Sequence, residues 1–176
     1  MLFKETKLKG VFLLNLEKIE DGRGFFSRLW CKKELEEKNL NADVVQSNIS
    51  YNKKKGTLRG LHYQKAPYEE TKYVRCTKGA MYDVVVDLRP DSPTYKQWLG
   101  VELSEENASM LYVPKGCAHG YLALEDHTEV TYFVTQFYKS DAEGGIRYDD
   151  KSFNIEWPIA ITEISDKDKN RPDYEG

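Results

Sequence analysis

Short runs of β-branched and aromatic residues, each broken after a few positions by turn-forming or charged residues, set the tightest limit on what this chain can fold into. Aromatic residues are abundant, with 12 Tyr, 7 Phe and 3 Trp. The pattern predicts ten strands, over residues 11–16, 25–30, 43–51, 57–64, 71–78, 80–88, 97–103, 110–113, 120–124 and 129–136. Ten short strands within 176 residues predict one domain of mainly β structure, a sandwich or a barrel.

Two segments read differently. Lys32 to Lys38 is rich in helix formers, lacks β-branched residues and sets Glu34 four positions before Lys38, which predicts a short surface helix over 32–38. Ser104 is placed to cap the amides that follow it in Ser104-Glu105-Glu106-Asn107. Met81 to Leu88 is apolar on both faces through its middle, as a strand covered on both sides must be. Pro90 and Pro93 then end it in a turn.

Charge narrows the function classes. The 26 basic residues are balanced by 29 acidic ones, for a net charge of −3, so the chain carries no basic excess for nucleic acid. With 40% hydrophobic residues it is not composed like a disordered chain. No apolar run approaches the ~20 residues that cross a bilayer, and Lys4 and Glu5 interrupt the start before a signal-peptide core can form. These features predict a soluble cytoplasmic protein. Cys31, Cys76 and Cys117 are odd in number and lack C-x-x-C spacing, which predicts free thiols and no disulfide or zinc knuckle.

The three histidines are His62, His119 and His127. Strict alternation over Leu58 to Gln64 puts Arg59, Leu61 and Tyr63 on one face and Leu58, Gly60, His62 and Gln64 on the other, with Gly60 leaving room for something to approach the backbone. His119 follows a Pro114/Gly116 turn at a strand start, and His127 lies in an acidic loop. The Pro-x-Gly-x-x-His element resembles the second motif of the cupin superfamily of β-barrels, where that histidine commonly ligates a metal. The first cupin motif would place a second histidine where Gln64 stands. Amide oxygen is a poor ligand for transition metals, so no metal is predicted.

A closer resemblance runs through nearly the whole chain. Asp21-Gly22-Arg23-Gly24-Phe25-Phe26, Val45-Gln46-Ser47-Asn48, Leu58 to Gln64, Lys72-Tyr73-Val74-Arg75, Asp83 to Arg89, Asp91-Ser92-Pro93-Thr94-Tyr95, Ala118-His119-Gly120 and Ser165-Asp166-Lys167-Asp168 stand in the order found in dTDP-4-dehydrorhamnose 3,5-epimerases. The chain is therefore similar to nucleotide-sugar epimerases. The resemblance implies a cupin-like antiparallel β-sandwich or jelly roll with short peripheral helices and a carboxy-terminal segment folded back on it. It also implies a homodimer in which the amino-terminal strands near Arg23 complete the neighbour's site.

The implied chemistry inverts carbons 3 and/or 5 of a nucleoside-diphosphate-4-keto-6-deoxy sugar through an enolate, without a cofactor. By resemblance His62 is the general base and Asp168 its carboxylate partner, Tyr132 the acid on the opposite face, and Lys72 the cation at the ketone oxygen. Imidazole suits the first role because its ordinary pKa lies near neutrality. Arg23, Arg59, Gln46 and Asn48 match positions that hold the nucleotide diphosphate and sugar, and His119, Glu143 and Lys167 match further substrate contacts. Arg28 stands where relatives commonly carry a glutamate at the nucleotide end of the ligand. That reversal leaves a CDP- or GDP-linked 4-keto sugar, hexose or heptose, as an alternative. Readings from other classes are a non-catalytic sugar-nucleotide-binding cupin and a metal-dependent cupin oxygenase; a ketoisomerase is the rival within the enzyme class.

Overall fold

The computed structural model describes residues 1–176. Fourteen strands follow one another as β1 (Leu2–Glu5), β2 (Phe12–Asn15), β3 (Ile19–Asp21), β4 (Gly24–Phe26), β5 (Gln46–Asn52), β6 (Thr57–Gln64), β7 (Lys72–Lys78), β8 (Ala80–Asp87), β9 (Trp98–Ser104), β10 (Met110–Val113), β11 (Cys117–Ala123), β12 (Thr128–Val134), β13 (Glu143–Gly145) and β14 (Glu163–Ile164). Helix α1 (Lys32–Glu36) precedes β5, and α2 (Asp166–Lys169) follows β14. No helix is long and apolar enough to cross a membrane.

Two sheets face each other in a cupin-like sandwich. One runs β1-β2-β10-β7-β12-β5 and the other β13-β6-β11-β8-β9, with β14 pairing in parallel beside β6. Their facing surfaces enclose Leu8, Val11, Val74, Cys76, Met81, Val85, Leu103, Leu111, Val113, Cys117, Tyr121 and Val130, all nearly solvent-free. Alternate residues of β8 serve the other surface: Val84 and Val86 pack outward with Leu61, Ala118, Ile146 and Phe153. Strand β8 is thus covered on both sides, as its apolar run predicts. The outer surface of the first sheet is covered in part by Leu35, Leu40 and Ala42, which pack on Tyr73, Met110 and Tyr112. Ser104 Oγ accepts the Asn107 amide at 3.1 Å, the expected cap.

Three expectations need correction. The predicted strand 25–30 is only Gly24–Phe26, in a hairpin with Ile19–Asp21 that joins neither sheet. Its run of aromatics stays exposed because nothing in the chain covers it, with Phe26 at 69%. The alternation through β6 also fails. Arg59 and His62, three residues apart, both line the interior cavity, while Leu61 packs outward. A register shift in the β6–β11 ladder, between His119 and Tyr121, resets which side each residue faces. Finally, what approaches Gly60 is the neighbouring strand. Gly60 has φ +129°, and a Cβ there would lie 2.5 Å from the Gly120 Cα.

Gly60 therefore lets two backbones meet at the point where the site is built. Gly60→Ala adds both a disallowed φ and a backbone clash, so it should destabilise by about 3 kcal/mol, lowering Tm by roughly 10 °C. Thermal denaturation followed by circular dichroism checks this; a Tm within about 2 °C of wild type would contradict it.

Candidate active site

The cavity of about 500 Å³ opens between the sheets and is of the size that holds a small organic ligand. Val74 and Val130 supply apolar wall from the first sheet, and Leu58 and Ile164 from the second. Polar side chains reach it from both sheets and from the carboxy-terminal segment.

His62, on β6, stands opposite His119, on β11, in the ladder. Each imidazole ends on its own carboxylate: His62 Nε2 lies 2.6 Å from Asp168 Oδ1, and His119 Nε2 lies 2.6 Å from Asp83 Oδ1. With Nε2–H donated to the carboxylate, Nδ1 of His62 is the nitrogen free to take a proton. Asp168 also accepts the Gly60 amide at 3.3 Å, and its own amide is capped by Ser165 Oγ at 3.1 Å. Burial raises the Asp168 carboxyl, but hydrogen bonds from His62, the Gly60 amide and Ser165 outweigh it, leaving the group below its ordinary value. It stays ionised beside the imidazole.

Tyr132 faces this pair from β12, on the other sheet. Burial, then the negative charge of Glu70, raises the phenol above its ordinary value, against a smaller opposing effect from Arg59. It holds its proton as an acid must. Lys72 is almost buried; its Nζ donates to the His62 carbonyl at 3.2 Å and pairs with Glu70 Oε1 at 3.1 Å. Arg59 is fixed by Asn52 Oδ1 at 2.9 Å, and Asn52 in turn donates to Tyr121 Oη at 3.2 Å.

His62, Lys72, Tyr132, Asp168, Arg59 and His119 thus come together around one cavity. Asn48 lies directly opposite Tyr132 in the β5–β12 ladder and so shares its face. Gln46, two residues earlier on that face, accepts the Tyr138 amide at 2.9 Å. Arg23 is elsewhere: it sits on the exposed hairpin, bonded to Asp21 at 2.6 Å. Arg28 is tied to Glu34 at 2.8 Å on the surface. His127 is exposed, as expected, and lies 2.5 Å from Tyr51 Oη.

Glu143 and Lys167, both expected at a ligand, bind each other at 2.7 Å. Arg171 adds a second cation to Glu143 at 2.5 Å, and Tyr138 Oη donates at 2.8 Å. Since Glu143 lies on β13 beside Gln64, this cluster fastens α2, and with it Asp168, against β6. Asp83 and Glu70 were not legible as site residues. Asp83 had one signal, a carboxylate beside the apolar run of β8; it is fully buried, with Oδ2 unpartnered.

Opposing walls of the cavity thus carry an imidazole paired with an ionised carboxylate and a protonated phenol, on a cupin-like sandwich. The family model described as dTDP-4-dehydrorhamnose 3,5-epimerase matches residues 5–175, and the chain belongs to that family. The Shigella flexneri dTDP-4-dehydrorhamnose 3,5-epimerase is 44% identical over 94% of this chain and 92% of its own length. A solved structure of the Elizabethkingia anophelis enzyme of that name aligns with TM-score 0.97 and 38% identity over 99% and 97% of the two chains. The dTDP-6-deoxy-D-glucose-3,5-epimerase of Legionella pneumophila Philadelphia 1, solved with dTDP-4-keto-L-rhamnose, aligns with TM-score 0.90 and 34% identity over 99% of each chain.

The clasp on α2 gives a pH prediction. Burial raises Glu143, but the hydrogen bonds from Lys167, Tyr138 and Arg171 win and bring it down to about 2. A depressed carboxyl stabilises the fold fully above its unfolded pKa of about 4.5 and loses that contribution as pH falls towards 2. Glu143→Gln should therefore lower Tm by about 3–6 °C at pH 7, and the gap should narrow as pH drops from about 4.5 towards 2. Paired melts across pH check it; a gap that stays constant would contradict it.

Proposed function

We propose that this chain epimerises a dTDP-linked 4-keto-6-deoxy sugar at the carbons flanking the ketone, with His62 as base, Asp168 as its partner, Tyr132 as acid and Lys72 at the ketone oxygen. The observation that carries the reading is the placement of the His62–Asp168 pair and Tyr132 on opposite sheets with the cavity between them. Inversion requires a proton to leave one face of the ring and another to arrive on the other, which one residue cannot accomplish alone.

The steps follow from acid–base chemistry. His62 Nδ1 takes the proton from the carbon beside the ketone, and the C–H electron pair moves into an enolate. Asp168 steadies the imidazolium that forms. The ammonium of Lys72 meets the charge that grows on oxygen, an interaction stronger in the transition state than in the ground state. Tyr132 then gives its proton to the same carbon from the opposite face, and solvent restores both groups. Repetition at the second carbon flanking C4 inverts both. Arg59 and His119 hold ligand oxygens in this reading, the former through a guanidinium suited to paired contacts.

The nucleotide follows the family, whose named members act on dTDP sugars. Arg28 shares Glu34 with the amino terminus and does not line the cavity. Gln46, Asn48, Glu143 and Lys167 are not in the cavity lining, and the last two act in this reading through the clasp that sets Asp168.

A second copy completes the picture. The β3–β4 hairpin exposes Ile19, Phe25 and Phe26 and carries Arg23 at 91% side-chain exposure. Strand β5 is a sheet edge with Ile49 exposed beside it. An uncovered apolar hairpin and an open edge are both satisfied if the hairpin of one protomer lies on the partner, bringing Arg23 to the partner's cavity. The chain as read is one domain. We place it in the cytoplasm, in keeping with its buried thiols Cys76 and Cys117.

Incubation with dTDP-4-keto-6-deoxyglucose in heavy water, followed by NMR, tests the roles. His62→Ala should abolish deuterium incorporation, a loss of about 10³-fold or more, while Tyr132→Phe should still exchange but fail to invert. Full epimerisation by either variant would contradict the assignment. For assembly, Phe26→Asp should give a monomer by analytical ultracentrifugation with activity reduced at least about tenfold; an active monomer would overturn the shared site.

A further inference from the structure

We infer that Glu70 is a positioning residue for the epimerisation: its carboxylate fixes the Lys72 ammonium in the cavity and makes the electrostatic surroundings of Tyr132 more negative. The inference rests on the roles proposed above for Lys72 and Tyr132. Nothing in the sequence pattern singled Glu70 out, since it precedes β7 in a polar stretch.

The geometry is a chain of anchored groups. Gln64 is held at both ends of its amide, donating to the Tyr68 and Phe137 carbonyls at 2.9 and 3.2 Å and accepting the Lys139 amide at 2.7 Å. The same Nε2 reaches Glu70 Oε2 at 3.4 Å, while Glu70 Oε1 lies 3.1 Å from Lys72 Nζ. Both side chains of the pair are close to buried, at 12% and 10% exposure. An ammonium has three N–H groups. One goes to the His62 carbonyl, one to Glu70, and the third is left for the ligand.

A carboxylate beside the ammonium weakens its long-range field, so what Glu70 supplies to catalysis is placement. A flexible four-carbon stem is held to one geometry before the ketone arrives. The same charge bears on Tyr132. The charged and titratable groups that share the cavity with that phenol are Lys72 on β7, Arg59 and His62 on β6, His119 and Tyr121 on β11, Glu163 on β14 and Asp168 on α2, with Glu70 just before β7. After burial, Glu70 is the main influence raising the phenol, and Arg59 opposes it. Without Glu70 the phenol gives up its proton at lower pH, and the acid is lost earlier as pH rises.

Steady-state kinetics across pH test this on Glu70→Gln, Glu70→Asp and Lys72→Ala, with folding followed by circular dichroism. Glu70→Gln should lower kcat by about tenfold to a hundredfold, change KM by less than about threefold, and move the alkaline limb of kcat to lower pH. Wild-type kcat, or a lowered kcat with the wild-type alkaline limb, overturns the proposal. Glu70→Asp keeps the charge and shortens the reach, so it should lower kcat and leave the limb in place. Added to Lys72→Ala, Glu70→Asp should change kcat no further, which decides the matter even if Glu70→Gln does not fold. Equal losses in both backgrounds overturn it. A Lys72→Ala variant as fast as wild type would instead remove the role of Lys72 itself, and this inference with it.

Discussion

The contact between His62 and Asp168 joins residues 106 positions apart and is the constraint on which the site depends. A solitary imidazole on β6 would be free to turn and to choose either tautomer. The carboxylate removes both freedoms, and it can do so only because the end of the chain returns to β6. Strand β14 pairs in parallel with β6 at Leu58, Ser165 caps the following turn, and Glu143 grips Lys167 and Arg171. Four residues of short helix are held from three sides. The carboxy-terminal segment is accordingly part of the site.

The cavity between the sheets brings several charged groups together, most of them paired with another polar side chain. Asp168 meets His62, Asp83 meets His119, Glu70 meets Lys72, and Arg59 meets Asn52. A buried charge without a partner would be costly, and a partner with poor geometry would return little of that cost. Pairing across sheets and segments fixes where each group points. Asp83 Oδ2 is without a partner; it shares its carboxylate with the Oδ1 that is bonded to His119, the imidazole opposite His62. The apolar half of the same interior, from Leu8 to Val130, supplies the rigid frame.

Much of this was legible in the sequence where local chemistry and burial agree. The strands at 57–64, 71–78, 80–88 and 110–113 correspond closely to β6, β7, β8 and β10, because apolar, aromatic and β-branched residues there are buried on at least one side. The six residues that converge on the cavity were named from motifs. Long-range geometry was not legible. No local signal marks β1, β13 or β14, which are short and exist only through their partners. The register shift beside Gly60 reversed the side assigned to Arg59, since strict alternation does not foresee the extra residue that β6 carries there against β11. Glu70 and Asp83 escaped notice because their importance lies in what they touch. Arg23, assigned to ligand binding, lies on an exposed hairpin that joins neither sheet and does not line the cavity of its own chain.

A crystal structure with a dTDP-linked 4-keto sugar bound would test the central claim most directly. The account predicts the sugar ring between the two sheets, a carbon next to the ketone within about 3.5 Å of the His62 ring nitrogen on one face, and Tyr132 Oη at a similar distance on the other. A ring with both groups on the same face, or a sugar lodged away from the His62–Asp168 pair, would contradict it.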